Sequence, residues 1–208
     1  MNFTEARSRL ITKYYDLLQR CVRPLADKGV SPNTISIISL GLSFFSGCFY
    51  AFGLFFAGGI FLLLSGFTDT LDGAIARLTG QSTKFGALLD STLDRYAEFF
   101  IYFGLMVYYH DRFIFYVVML ALMGSIMVSY VKARAESLGR TRVVGLMQRP
   151  ERFFLLASGS LLNGPIGRYF PEYPECIFIG TLILLVFLTN ITVLHRLLAG
   201  KKDLVHPE

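Results

Sequence analysis

Six stretches of mostly apolar residues, at 34–56, 59–79, 86–108, 113–131, 153–170 and 176–195, alternate with short segments where charge, Gly and Pro return. Each approaches the ~20 residues that a helix needs to cross the hydrocarbon core of a bilayer. The pattern predicts an all-α integral membrane protein with six transmembrane helices and little chain left for a soluble domain. Ahead of the first stretch, Leu10, Ile11, Tyr14, Leu17, Leu18 and Cys21 recur at helical spacing, with Arg7, Arg9, Lys13 and Arg20 available to the other side. That stripe suits an amphipathic helix lying at the membrane surface, or one packed on the protein itself. The expected organisation is therefore an interfacial helix at 1–28 and a six-helix membrane domain at 29–208. Residues 1–28 mix charged and apolar positions without a continuous apolar core, so a cleaved signal peptide is not expected.

Composition agrees with this reading: 53% of the 208 residues are hydrophobic, 15% are aromatic and mean hydropathy is +0.52. These values lie above those of ordinary soluble domains. A net charge of +5 would by itself allow a nucleic-acid partner, but its distribution argues against one. With both termini in the cytoplasm, the basic residues from Arg7 to Lys28, together with Arg77, Lys84, Lys132, Arg134, Arg140, Arg142, Arg149, Arg152, Arg196, Lys201 and Lys202, gather on the inner side. The outer loops keep Arg112 and Arg168 beside Asp111, Glu172 and Glu175. This is the positive-inside asymmetry of a multi-pass protein of the cell membrane. Cys21, Cys48 and Cys176 fall at different depths and are expected to pack rather than to form disulfides.

One stretch breaks the apolar pattern. Residues 69–94, DTLDGAIARLTGQSTKFGALLDSTLD, place four aspartates where the second and third spans meet on the cytoplasmic side. Asp69 and Asp72 share a face at helical spacing, as do Asp90 and Asp94 on the next helix. Ionised carboxylates in hydrocarbon cost ~2.5–3.5 kcal/mol each even on lenient insertion scales, so the group requires positive charge. Arg77 and Lys84 do not balance it, whereas Mg²⁺ or Mn²⁺ suits an all-oxygen donor set that also expects phosphate. Gly73, Ala76 and Gly86 keep the facing surfaces free of bulk, either to admit a flat ligand or to let the helices pack closely. His110, His195 and His206 are scattered along the chain and are not expected to share a metal.

Taken together, Asp69, Asp72, Gly73, Ala76, Arg77, Gly86, Asp90 and Asp94 spell DxxDGxxARx8GxxxDxxxD with every spacing intact. At ordinary residue frequencies the chance of such a match at a given start is on the order of one in 10¹⁰. The chain resembles the CDP-alcohol phosphotransferase family, membrane enzymes that join a CDP-activated lipid to an alcohol and release CMP. The resemblance implies that Asp69, Asp72, Asp90 and Asp94 bind metal, two ions per active site, with Asp94 serving as general base. It implies that Asn33, Asp69, Gly73, Ala76, Arg77 and Gly86 bind the CDP-lipid, with Arg77 on the diphosphate. It also implies a homodimer with its active site facing the cytoplasm. The SPNT turn at 31–34 offers Ser31 or Asn33 as a helix cap as well as a neighbour of the nucleotide.

The stretches SYVKARAESLG at 129–139 and GLMQRPERFFLL at 145–156 resemble the branch of that family that makes phosphatidylinositol phosphate or archaetidylinositol phosphate from inositol 1-phosphate. The likeness implies that Lys132, Arg134, Arg149, Arg152 and Arg196 hold the phosphate of the acceptor alcohol. Arg140 and Arg142 read better as anchors to anionic lipid. Gln148 and Arg149 stand where those relatives often have a Glu-Arg pair, which leaves ester and ether donors both open. Glycerol 3-phosphate is the alternative acceptor. An ion transporter is the rival from another class, disfavoured because the acids gather at one membrane depth beside phosphate-binding cations. The sequence assigns no role to Glu98.

Overall fold

A computed structural model describes residues 20, 22–139, 145–167, 169 and 172–205. Among these residues the secondary structure is helical throughout: α1 (Pro32–Ala51), α2 (Phe55–Thr79), α3 (Lys84–Tyr108), α4 (Ile114–Ser137), α5 (Arg149–Gly167) and α6 (Cys176–Val205). A further helical stretch covers 22–27. The expected interfacial helix lies mostly outside the described residues, as do Cys21, Arg140, Arg142, Arg168 and His206.

Each of these helices carries the greater part of one of the six apolar stretches. Four of them, α1, α2, α4 and the Cys176–Lys201 part of α6, are long and apolar enough to cross a membrane. In α3 and α5 the apolar run is interrupted, by Asp90, Asp94, Arg95 and Glu98 in the one and by Glu151 and Arg152 in the other. Many large apolar side chains face outward on the spans, among them Ile37, Phe45, Leu64, Met123 and Ile183. Such a surface suits lipid and not water, and the architecture is that of an all-helical membrane protein.

Helix boundaries depart from the hydropathy pattern where backbone chemistry overrides it. The first stretch was expected to run to 56, but α1 stops at Ala51 because Gly53 adopts a left-handed φ of 72°. Helix α4 continues past 131 through a polar last turn to Ser137. Helix α5 begins at Arg149, four residues before its apolar run.

Helix α1 packs along α2 and α3, α2 along α5, α5 along α6, α4 along α6, and α3 along α4. The main core gathers near one end, where Tyr50, Leu62, Ile101, Leu105, Leu156, Phe178 and Leu182 are all buried. A smaller cluster of Val22, Ile35, Leu71 and Ile75 brings the 22–27 stretch onto α1 and α2. Between α1 and α3 the contact is backbone to backbone: a Cβ on Gly104 would collide with the Gly47 carbonyl, and a Cβ on Gly47 with that of Phe100. Small residues allow this approach in lipid, where close packing and hydrogen bonds hold helices together. Serines join α1 to α2, with the hydroxyls of Ser43 and Ser65 2.6 Å apart and Ser46 donating to the Gly58 carbonyl at 2.8 Å.

Candidate active site

Three local structures bring the polar residues to one end of the bundle. Ser31 caps α1 by accepting from the Thr34 N–H at 3.2 Å, and Pro32 opens the helix with its φ already suited to it. Helix α2 ends at Gly80, in the left-handed conformation with φ 67°. Thr83 then caps α3 by accepting from the Gly86 N–H at 2.9 Å. The short turn between Gly80 and Thr83 reverses the chain, so the last turns of α2 face the first turns of α3.

Asp69, Asp72 and Asp90 converge across that reversal, each offering a carboxylate oxygen, and these oxygens lie within 4.8 Å of one another. Asp72 is the most enclosed, 5% exposed. It accepts from the Ser36 hydroxyl at 2.6 Å and from the Gly73 N–H at 2.5 Å, which fixes its orientation. Three carboxylates so close, with few donors among them, form a hard-oxygen donor set that fits one or more divalent cations.

Asp94, one turn beyond Asp90, adjoins that trio through a shared arginine. Its carboxylate, 17% exposed, pairs with the Arg149 guanidinium and approaches Arg95 at 3.7 Å. The same Arg149 Nη1 lies 2.6 Å from Asp69 Oδ1 and so bridges α2 and α3. Arg149 itself is 13% exposed, with its guanidinium 4.8 Å from the centre of the Phe153 ring.

Beside the acids a cavity of about 200 Å³ is lined by Pro32, Asn33, Ser36, Asp72, Gly73, Ala76, Arg77, Gln81, Ser82, Thr83, Gly86, Ala87 and Asp90. It therefore brings together Asn33, Gly73, Ala76, Arg77 and Gly86, which sequence reading grouped; Asp69 lies instead along a second groove of about 220 Å³ with Arg149, Phe153 and Phe154. A Cβ on Gly86 would stand 3.0 Å from Thr83 Oγ1 and 3.8 Å from Asn33 Oδ1, so a side chain there would narrow the cavity. Ser36, Gln81 and Thr83 were not singled out from sequence. Ser36 had one available signal: it follows Pro32 by one helical turn, on the face that meets α2.

The remaining cations divide. Lys132 reaches Glu136 on its own helix at 3.8 Å, and Arg134 donates to Ser137 at 3.4 Å, both at the exposed end of α4. Arg152 is 1% exposed and pairs with Glu98, not with its neighbour Glu151. It also donates to the Met147 carbonyl at 3.1 Å and to Ser129 at 3.5 Å. Arg196, 4% exposed, donates to the Val128 carbonyl and lies within electrostatic reach of Arg152. The 145–148 segment covers this pair, with Gly145 at φ 134° against Thr192 and Arg196 and the Met147 N–H donating to Thr192 at 3.3 Å. His110 pairs with Asp111 at 2.7 Å near the opposite end of the bundle, by the Arg112–Glu175 ion pair.

Residues 29–193 match the CDP-alcohol phosphatidyltransferase family. The chain is 35% identical to archaetidylinositol phosphate synthase of Pyrococcus horikoshii over 95% of its own length and 97% of that protein's. It is 33% identical to archaetidylinositol phosphate synthase of Methanothermobacter thermautotrophicus, covering 91% and 93% of the two chains. Its fold is similar to the crystal structure of Mycobacterium tuberculosis phosphatidylinositol phosphate synthase with CDP-DAG bound, with a TM-score of 0.77, 29% identity, and 89% and 94% of the chains covered. The same enzyme in complex with manganese and citrate matches with a TM-score of 0.76 and 28% identity over 88% of each chain.

Proposed function

The chain belongs to the CDP-alcohol phosphatidyltransferase family, and from that premise we propose that it transfers a phosphatidyl-type group, built on diacylglycerol or archaeol, from a CDP-lipid to inositol 1-phosphate, releasing CMP. The observation that carries this reading is the cavity where Asp72 and Asp90 of the carboxylate trio, Arg77, Asn33 and the small residues of α2 and α3 meet. A phosphorylated acceptor suits Arg149, which lines the second groove beside the acids, and archaetidylinositol phosphate is the product named for the relatives.

In the proposed site, Asn33, Gly73, Ala76 and Gly86 seat the cytidine, and Arg77 pairs with the diphosphate, which a planar guanidinium engages through two hydrogen bonds. Asp69, Asp72, Asp90 and Asp94 are the residues that would hold Mg²⁺ or Mn²⁺. When bound, the cation neutralises diphosphate charge and eases departure of the nucleotide. Lys132, Arg134, Arg149, Arg152 and Arg196 receive the acceptor's phosphate. Asp94 takes the proton of the attacking hydroxyl, whose oxygen bonds to the lipid-side phosphorus. The bond from that phosphorus to the bridging oxygen breaks, and its electron pair leaves on CMP. Positioning and charge neutralisation carry most of the work in phosphoryl transfer, which agrees with a site built of carboxylates and guanidinium groups.

The proposal includes six spanning helices, both termini and the active site on the cytoplasmic side, and a homodimer. The basic residues flanking the acid-bearing end of the bundle support the orientation. Family membership supports the dimer.

Purified protein supplied with CDP-diacylglycerol or CDP-archaeol and Mg²⁺ is expected to release CMP on addition of inositol 1-phosphate and not of free inositol. Preference for glycerol 3-phosphate would reassign the acceptor, and activity with free inositol would remove the phosphate-binding role of the arginines.

A further inference from the structure

Arg149 holds two acidic residues that the reaction needs free. Its Nη1 lies 2.6 Å from Asp69, which belongs to the carboxylate trio, and it pairs as well with Asp94, the base of the proposed reaction. A guanidinium seated on Asp94 Oδ1 occupies the approach that an alcohol hydroxyl needs to reach that oxygen. The same residue begins α5, directly after the segment that covers Arg152 and Arg196. It thus stands between the acids and the cations proposed to receive the acceptor. Its Nε is buried and has no partner among the described residues, so the guanidinium has unused donor capacity toward an incoming anion.

We propose that Arg149 is an acceptor-released clamp: without an alcohol phosphate it holds Asp94 and Asp69, and the acceptor's phosphate draws it away and frees the base. A phosphate dianion concentrates on one group the negative charge that the two carboxylates divide, and it offers a paired geometry that they do not. The device protects the donor. With the clamp closed, water cannot readily replace the alcohol. In the guarded side reaction, water's oxygen bonds to the lipid-side phosphorus and its proton passes to Asp94. The bond to the bridging oxygen breaks, and CMP leaves with the electron pair. This inference rests on the assignment of Asp94 as base.

The test compares wild type, Arg149→Gln and Arg149→Lys in detergent, first without acceptor. CMP released from CDP-diacylglycerol in the absence of inositol 1-phosphate is expected to rise in Arg149→Gln, and its ratio to acceptor-dependent release to rise at least tenfold. Mn²⁺ binding, followed by loss of the free-ion EPR signal in protein with no nucleotide, is expected to tighten at least threefold in Arg149→Gln. Adding inositol 1-phosphate is expected to tighten Mn²⁺ binding in wild type but not in that variant. An unchanged hydrolysis ratio together with unchanged Mn²⁺ affinity overturns the clamp. If the Gln variant does not fold, Arg149→Lys and the wild-type effect of inositol 1-phosphate on Mn²⁺ decide it: no tightening in wild type rejects the proposal. Asp94→Asn separates the premises. Normal CMP release in that variant means that the base is misassigned, whereas an inactive Asp94→Asn beside an unaltered Arg149→Gln sinks only the clamp.

Discussion

Glu98 of α3 and Arg152 of α5 form an ion pair in which neither residue is more than 1% exposed. Glu98 Oε2 and Arg152 Nε have no partner among the described residues, so the pair is satisfied mainly by its own contact and by Met147 and Ser129. Removing one member of such a pair leaves an uncompensated buried charge, a loss of about 3–5 kcal/mol. Glu98→Ala is therefore expected to lower the unfolding temperature sharply, with Glu98→Gln milder. The double variant Glu98→Gln/Arg152→Met should recover much of the stability while losing the proposed acceptor site, as read by thermal unfolding in detergent alongside CMP release.

Ser36 supports Asp72 without being a ligand itself. Loss of its 2.6 Å hydrogen bond leaves the most enclosed carboxylate of the trio free to rotate. Outer partners of metal ligands typically contribute about 10–100-fold in affinity or activity. For Ser36→Ala the expected result is Mn²⁺ binding weakened about tenfold, or about 1.4 kcal/mol, with little change in unfolding temperature. Isothermal titration of the metal into nucleotide-free protein measures it.

Two glycines on α1 should behave oppositely. A methyl on Gly47 meets the Phe100 carbonyl of α3, whereas one on Gly41 has nothing within 4 Å. Overpacking of this kind costs about 1–3 kcal/mol. Gly47→Ala should lose stability on that scale, and Gly41→Ala should match or slightly exceed wild type. On the cavity wall, Gly86→Ala should raise KM for the CDP-lipid and leave unfolding nearly unchanged.

Orientation is accessible to labelling. In a background with Cys21, Cys48 and Cys176 replaced by Ser, a cysteine at Ser82 should react with a membrane-impermeant maleimide in inside-out vesicles. One at Tyr173, on the far end of the bundle, should react in right-side-out vesicles. The reverse result would invert the proposed topology.

Much of this architecture was legible in the residues. The apolar stretches located all six long helices because each is long and bounded by charge or turn residues. Asp69, Asp72 and Asp90 were legible as a group because helical spacing and one short turn suffice to bring them together. What the sequence did not disclose depends on distant pairings. Glu98 had no visible partner because Arg152 is separated from it by 54 positions, with the whole of α4 between. Arg149 was grouped with the other cations, yet its contacts are with the acids, since the register of α5 against α2 is set by packing that no local pattern records. The early end of α1 turned on Gly53, a single residue in an otherwise apolar run.

The contact of Gly47 with Gly104 also bears on the cavity between the helices. With no space for even one extra carbon at that seam, α1 and α3 are held at a fixed separation, and these two helices carry Asn33 and Gly86 into the cavity wall. On the other flank α2 and α5 line a groove with Leu63, Phe67 and Phe154, side chains that can change rotamer without moving a backbone. A cavity set between backbones in contact tolerates less reshaping by substitution than a groove lined by side chains, so a change of ligand shape is expected to be met in the α2–α5 groove before the α1–α3 seam.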